Sequence, residues 1–247
     1  MKTLEATERL YTAHPFGELD YDRERYFDDM LFTPHAQGLE PSDVVYDIGC
    51  GMGYLIGFLR KRIPNRVIGV DISESALEHC RELGYEVYRM NNMSLDLPDK
   101  VSGFTISNGV IHHTPDPRQS FAELVRITRP GKSIYVSVYR RHHPYHFLYR
   151  SAAPIRKVYR NHPEFVYRFM FPLFYVGYFV PIFLALEHRL INRQGGMTMF
   201  ADQFLTPQAT FHTRDELERW AREENCRVVR FALEKKGQMI SAIIERP

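Results

Sequence analysis

With 247 residues, 44% of them apolar, the chain is long enough to bury one full α/β core and too short for two full domains. Lys and Arg number 32 against 30 Asp and Glu, and a net charge of +2 gives no general reason to expect nucleic acid as a partner. Cys50, Cys80 and Cys226 lie far apart with neither metal-type spacing nor a CxxC pair, which argues against a disulfide framework and fits a reducing, cytoplasmic compartment.

The first residues carry charges where an export signal needs its apolar run, so no targeting peptide is expected. Residues 1–42 read as a helical cap, amphipathic near Tyr21 to Leu31, whose Tyr11, His14, Tyr21 and Tyr26 either cover a cofactor or merely pack. From there apolar runs alternate with helical patterns. Strands are expected over Val44 to Ile48, Val67 to Val70, Glu86 to Met90, Phe104 to Ser107 and Ile134 to Val138. Helices are expected over Tyr54 to Lys61, Ser75 to Leu83 and Arg118 to Ile127, the order that βαβ units require.

Residues 140–204 break the alternation. They are aromatic and basic, carry Pro144, Pro154, Pro163, Pro172 and Pro181, and are too long for a plain loop, so a helical insertion after the fifth strand is expected. That position makes it a lid or substrate wall, because open α/β sheets bind ligands beyond the C-terminal ends of their strands. Between Arg140 and Arg168, Glu164 is the single acid against Arg140, Arg141, Arg150, Arg156, Lys157, Arg160 and Arg168. The run Phe171 to Leu186 is uncharged, but Pro172 and Pro181 interrupt it and it falls short of the roughly 20 residues that span a bilayer. Burial, a homodimer interface and peripheral membrane contact through 140–187 all stay open for this segment.

Residues 205–247 supply a helix over Asp215 to Glu224 introduced by Thr213, then strands Arg227 to Leu233 and Gln238 to Ile244 about the turn Lys235-Lys236-Gly237. The fold class is therefore α/β: a three-layer, Rossmann-like sheet of seven strands, mostly parallel, with an antiparallel last strand. Its cofactor-binding core is expected at 43–139 and is completed by 205–247.

The motif with chemical content is Asp47-Ile48-Gly49-Cys50-Gly51-Met52-Gly53, an acid and three alternate glycines between a strand and a helix. Glycines let the backbone turn tightly and approach a ligand with no Cβ in the way. Asp71 ends the second expected strand, where a carboxylate accepts hydrogen bonds from both ribose hydroxyls; a plain helix N-cap is the bland alternative, for which Ser73 is equally suited. A dinucleotide motif needs glycine at the position held by Tyr54, and Asp47 suits a ligand with a cationic ammonium and sulfonium end. The pattern favours S-adenosylmethionine.

Taken with Val70-Asp71-Ile72-Ser73, Ser107-Asn108-Gly109 through Asp116, and Arg126-Ile127-Thr128-Arg129-Pro130-Gly131, this motif resembles the class I methyltransferase family. The resemblance implies a berth made of Asp47, Gly49, Cys50, Gly51 and Gly53 for the methionine part, and Asp71 with Ile72 at the ribose and adenine. It further implies Asn91 or Asn92 at the adenine amino group, and Asn108 and Gly109 near the reactive end. This chain departs from the family at Ser102-Gly103, where Phe-Asp is common, and at Lys132 after Pro130-Gly131.

Methyl transfer from a sulfonium needs alignment, exclusion of water and, for a hydroxyl acceptor, a base near neutrality. His112 and His113 follow the fourth strand and are the candidates for base or substrate anchor, with a turn-capping role as the alternative for one of them. Tyr139, Arg140, Arg141 and His143, at the end of the fifth strand, are candidate substrate contacts. His142, His143 and His146 lack accompanying carboxylates or cysteines, so no metal is expected. The expected activity is methylation of a small molecule, oxygen favoured, that is anionic, hydrophobic or lipid-linked. A regulatory cofactor-binding module and an RNA or protein methyltransferase are the alternatives.

Overall fold

The computed structural model describes residues 2–14, 23–188 and 190–247; the expectation for Tyr21 lies outside them. Seven strands form one sheet: β1 (Val44–Ile48), β2 (Arg66–Asp71), β3 (Glu86–Arg89), β4 (Ser102–Asn108), β5 (Thr128–Tyr139), β6 (Arg227–Glu234) and β7 (Met239–Arg246), in the order β3-β2-β1-β4-β5-β7-β6. The first five pair in parallel, while β7 is antiparallel to both β5 and β6. The chain reverses direction through the order between β1 and β4, which places the C-terminal ends of those two strands at the crevice of a doubly wound sheet.

Pleating explains the two core layers. Along β1, Val45 enters the cluster with Phe32, Ile56, Leu59 and Phe104, whereas Tyr46 and Ile48 enter the cluster on the other face with Phe121, Leu124 and Trp220. The first face is covered by α2 (Arg23–Asp28), α3 (Thr33–Gln37), α4 (Tyr54–Arg60) and α5 (Glu74–Glu82), and α1 (Lys2–Ala13) rests on α5. The second is covered by α6 (Pro117–Ile127), capped by the Asp116 side chain.

The two departures at Ser102-Gly103 and Lys132 have one cause. Ser102 pairs with Thr128 and Phe104 with Ser133, so the Pro130-Gly131-Lys132 turn bulges out of the ladder. A Cβ on Gly103 would lie 2.6 Å from the Asp43 carboxyl group, which is buried and bonded to Arg129 and, at 2.8 Å, to Lys132 Nζ. Asp43, entering from the preceding turn, thus supplies the acid at this corner.

The insertion is helical: α7 (Pro144–Ser151), α8 (Ala153–Asn161), α9 (Pro163–Ala185) and α10 (Arg193–Phe200), the last continued by a π turn at Ala201–Leu205. The prolines do not interrupt α9 as expected. Each sits just beyond a π turn, in which Phe171 N–H bonds Val166 C=O and Val180 N–H bonds Tyr175 C=O. The widened turn makes room for the ring that would clash with a tighter one. The helix is consequently 23 residues long, and by length and composition it is long and apolar enough to cross a membrane. Its Val166, Phe171 and Phe179 pack with Phe200 and Phe204 of the α10 segment and with Leu10 of α1, so the cap and the insertion share a small core of their own. The chain ends with α11 (Arg214–Glu223), opened by a complete capping box of Thr213 and Glu216, and the β6–β7 hairpin.

Candidate active site

A cavity of about 200 Å³ opens at the crevice between β1 and β4. On one side the glycine turn leaves β1 while Gly49 and Cys50 donate their N–H groups to Val70 O, at 2.6 and 3.0 Å. Gly49, Gly51 and Gly53 all have positive φ, at 89°, 50° and 74°. A Cβ on Gly49 would lie 2.4 Å from Val110, and one on Gly53 would lie 2.8 Å from Cys80 Sγ. These positions need glycine on both counts.

Asp71 is held by two amides, Gly51 N–H to Oδ2 at 2.8 Å and Ser73 N–H to Oδ1 at 2.9 Å. Burial raises its pKa against those bonds. The helix-cap role belongs to Ser73, whose hydroxyl accepts Ala76 N–H, which leaves Asp71 with its remaining lone pairs on the cavity wall. Asp47 is 2% exposed and its Oδ2 has no hydrogen-bond partner. Burial first, and the neighbouring Asp71 second, push its pKa up to about 8. Ile72, Asn91 and Asn92 continue the wall, with Asn91 Oδ1 spent on Met93 N–H. Asn108 accepts a bond from Ser137 Oγ at 2.9 Å, and Gly109, φ 77°, completes the floor.

The far end is built by four residues from four parts of the chain. Tyr11 of the cap, His113 after β4, Tyr139 at the end of β5 and Asp202 of the insertion all line the cavity. Both tyrosines donate to the same carboxylate, Tyr11 to Asp202 Oδ1 at 3.2 Å and Tyr139 to Oδ2 at 3.0 Å. His113 Nδ1 lies 3.0 Å from Gln208 O. A carbonyl only accepts, so Nδ1 carries the proton and Nε2 keeps its lone pair, 3.9 Å from Asp202 Oδ1. Burial lowers the His113 pKa while Asp202 pulls it back up.

His112 departs from expectation. It is fully buried, both ring nitrogens are without partners, and its ring packs tilted against Tyr139, centroids 3.9 Å apart, outside the cavity lining. Arg140, Arg141 and His143 are likewise turned away. The Arg140 guanidinium lies beside Gly237 with its buried Nε unpartnered, Arg141 grips Phe211 O and Glu216, and His143 caps α7 through Tyr145 N–H. Of the substrate candidates only Tyr139 lines the cavity. Tyr11 and Tyr26 of the cap also line it, whereas His14 bonds Tyr167 in the insertion. Sequence reasoning missed Asp202, Lys235 and Met239; the one available sign was a carboxylate standing in the apolar run Met197 to Leu205.

Comparison with known proteins bears on this geometry. The methyltransferase domain family matches residues 46–136. The ubiquinone biosynthesis O-methyltransferase of Methylococcus capsulatus is 33% identical over 102 residues, 38% of this chain and 43% of that protein. The tRNA (carboxymethyluridine(34)-5-O)-methyltransferase of Arabidopsis thaliana is 28% identical over 106 residues, 42% of this chain and 26% of that protein. The chain thus spans less than half the length of these curated relatives. A structure of an S-adenosylmethionine-dependent methyltransferase from Thermotoga maritima shares the fold, with a TM-score of 0.54 across 98% of this chain and 99% of that one at 17% identity.

Residues 46–136 match the methyltransferase domain family, on a sheet of Rossmann-like order. The cofactor of this family is S-adenosylmethionine, and the residues present fit it. A buried carboxylate oxygen with no partner at Asp47 suits an ammonium group, Gly49 and Gly51 bring a left-handed backbone turn to the cavity wall, and Asp71 offers fixed acceptors to a ribose. Asp47, Gly49, Cys50, Gly51, Asp71, Ile72, Asn91, Asn92, Asn108 and Gly109 of this methyltransferase domain all line one cavity, and Gly53 supports the turn from behind it.

Proposed function

We propose that this protein methylates an oxygen of a small, largely apolar acceptor, with His113 as general base. The observation that carries this reading is the fixed tautomer of His113: Nδ1–H is committed to Gln208 O, and the basic Nε2 faces the end of the cavity beside Asp202. S-adenosylmethionine, when bound, supplies an electrophilic methyl group whose sulfur leaves neutral. Burial keeps the His113 imidazole uncharged and ready to take the acceptor's proton, and the Asp202 carboxylate stabilises the imidazolium that results. Tyr11 and Tyr139 pin that carboxylate in place.

The cavity wall includes Tyr26, Phe27, Leu55, Val110 and Met239, which favours an apolar acceptor body. Of the arginines expected to meet an anionic acceptor, Arg141 is bound to Phe211 O and Glu216 and Arg140 lies outside the cavity lining, though Lys235 does line the cavity. Tyr11 of the cap and Asp202 of the insertion line the cavity, so these two segments are placed to shield the sulfonium from water during displacement.

Transfer of labelled methyl from S-adenosylmethionine to a panel of hydroxylated and phenolic small molecules tests the reading. Label in small molecules that disappears in His113→Ala supports it. Label found in tRNA or protein instead, or none despite tight cofactor binding, contradicts it.

A further inference from the structure

One face of α9 is apolar and uncovered. Phe165, Phe169, Leu173, Val176 and Leu184 are 50, 53, 75, 67 and 47% exposed. Their spacing at three- and four-residue steps, and multiples of four, puts them on one stripe, with exposed Pro172, Gly177 and Pro181 filling in. From Phe169 to Ala185 there is no charged residue. At 1.5 Å per residue the stripe is roughly 30 Å long, an extent that scattered surface hydrophobics do not reach.

The stripe has a basic flank. Lys157 and Arg160 lie on the exposed side of α8, Arg150 ends α7, and Arg168 stands at the head of the stripe beside Phe169. Glu164 is the acid in this neighbourhood. Lys157, Arg160 and Arg150 make no ion pair among the described residues. Phe147, in the same helix as Arg150, is a further exposed apolar side chain, at 77%. A second copy of the chain would match the apolar stripe but would bring the same cations; a surface of anionic lipid offers complementary charge as well as hydrocarbon.

Length alone would also permit α9 to cross a bilayer, yet its other side is committed. Val166, Phe171 and Phe179 are at most 1% exposed against Phe200 and Phe204, and Tyr175 OH bonds Ile191 O at 2.7 Å. Crossing would strip that side from the segment that carries Asp202 into the site. A helix with one face packed on protein and one bare apolar face with cations at its end lies in the interface plane.

We propose that the insertion docks on an anionic membrane surface. The α9 stripe enters the boundary between headgroups and acyl chains, and Arg150, Lys157, Arg160 and Arg168 meet lipid phosphates. The proposal is independent of the acceptor and of His113.

Flotation of the full chain with phosphatidylcholine vesicles, and with vesicles in which part of that lipid is replaced by phosphatidylserine, tests it. The expected result is flotation with the anionic vesicles, little with the neutral ones, and release at high salt. Lys157→Gln and Arg160→Gln should each weaken vesicle binding roughly fivefold, and Leu173→Asp combined with Val176→Asp should reduce it more than about tenfold, with S-adenosylhomocysteine binding kept as proof of folding. The proposal is overturned if the chain floats with neither vesicle, or if the stripe variant floats like the parent. It is equally overturned if that variant turns a dimer into a monomer without vesicle binding in the parent, since the stripe then belongs to a second copy.

Discussion

His113, after the fourth strand, and Asp202, in the last turn of the inserted helices, meet at the end of the cavity with Nε2 3.9 Å from Oδ1. The sequence places them in different segments, and the fold joins them because Tyr11 and Tyr139 tie Asp202 down beside the imidazole. A base held this way is testable separately from the cofactor berth.

His113→Ala should lower kcat by about 10²- to 10⁴-fold, the range for loss of a positioned general base, with cofactor affinity unchanged. His112→Ala should instead lower thermal stability, because it empties a fully buried site against Tyr139, and leave kcat within a few-fold. Single-turnover rates and melting curves of the two variants decide between the histidines.

The pH profile follows from the direction of the His113 shift. Burial holds the imidazole below its ordinary value, so the reactive neutral form persists through neutral pH and is lost only as pH falls through that lowered pKa. Asp202 opposes the shift, so Asp202→Asn should move the acid limb of kcat to still lower pH while reducing kcat. An acid limb that moves upward in this variant contradicts the assignment.

Asp71→Ala should weaken S-adenosylmethionine binding by about 1 to 3 kcal/mol through lost charge-assisted hydrogen bonds. Gly51 and Ser73 lose their acceptor at the same time, so Asp71→Asn is the companion variant. Calorimetry that finds both unchanged removes Asp71 from the ribose site.

Asp47 gives a prediction for the ligand-free protein. Its folded pKa, about 8, lies above that of an unfolded aspartate, so its contribution favours folding below the unfolded pKa and is lost as pH rises through about 8. Asp47→Asn should therefore be more stable than the parent at pH 8 to 9, by an amount on the order of a few kcal/mol at most, with the difference shrinking toward acid pH. It should also bind cofactor more weakly. Denaturant melts across that range check the sign; a parent that gains stability relative to the variant as pH rises contradicts it.

Much of the fold was legible because its signals are local. β1 falls on Val44–Ile48 as expected, and the glycine turn, the hairpin about Lys235-Lys236-Gly237 and the Thr213 cap each announce themselves within a few residues. The residues that the family resemblance named for the cofactor, Gly53 apart, line one cavity. Side-chain direction at the end of β5 was not legible. Arg140, Arg141 and His143 follow the strand closely, but the groups beside their side chains, Gly237, Phe211, Glu216 and the start of α7, come from later segments that periodicity does not locate. Asp202 was hidden for the same reason, since a lone acid in an apolar helix has no meaning until Tyr11 and Tyr139 are seen around it. The prolines of α9 misled because their usual effect is to stop a helix, and the π turns that accommodate them leave no local signature in the sequence.

A crystal structure with S-adenosylhomocysteine bound tests the central claim most directly. The account expects the ribose hydroxyls on Asp71, the ammonium on Asp47, and the sulfur facing the space bounded by His113, Tyr139 and Asp202. A ligand that sits elsewhere, or one whose sulfur points away from His113, would contradict it.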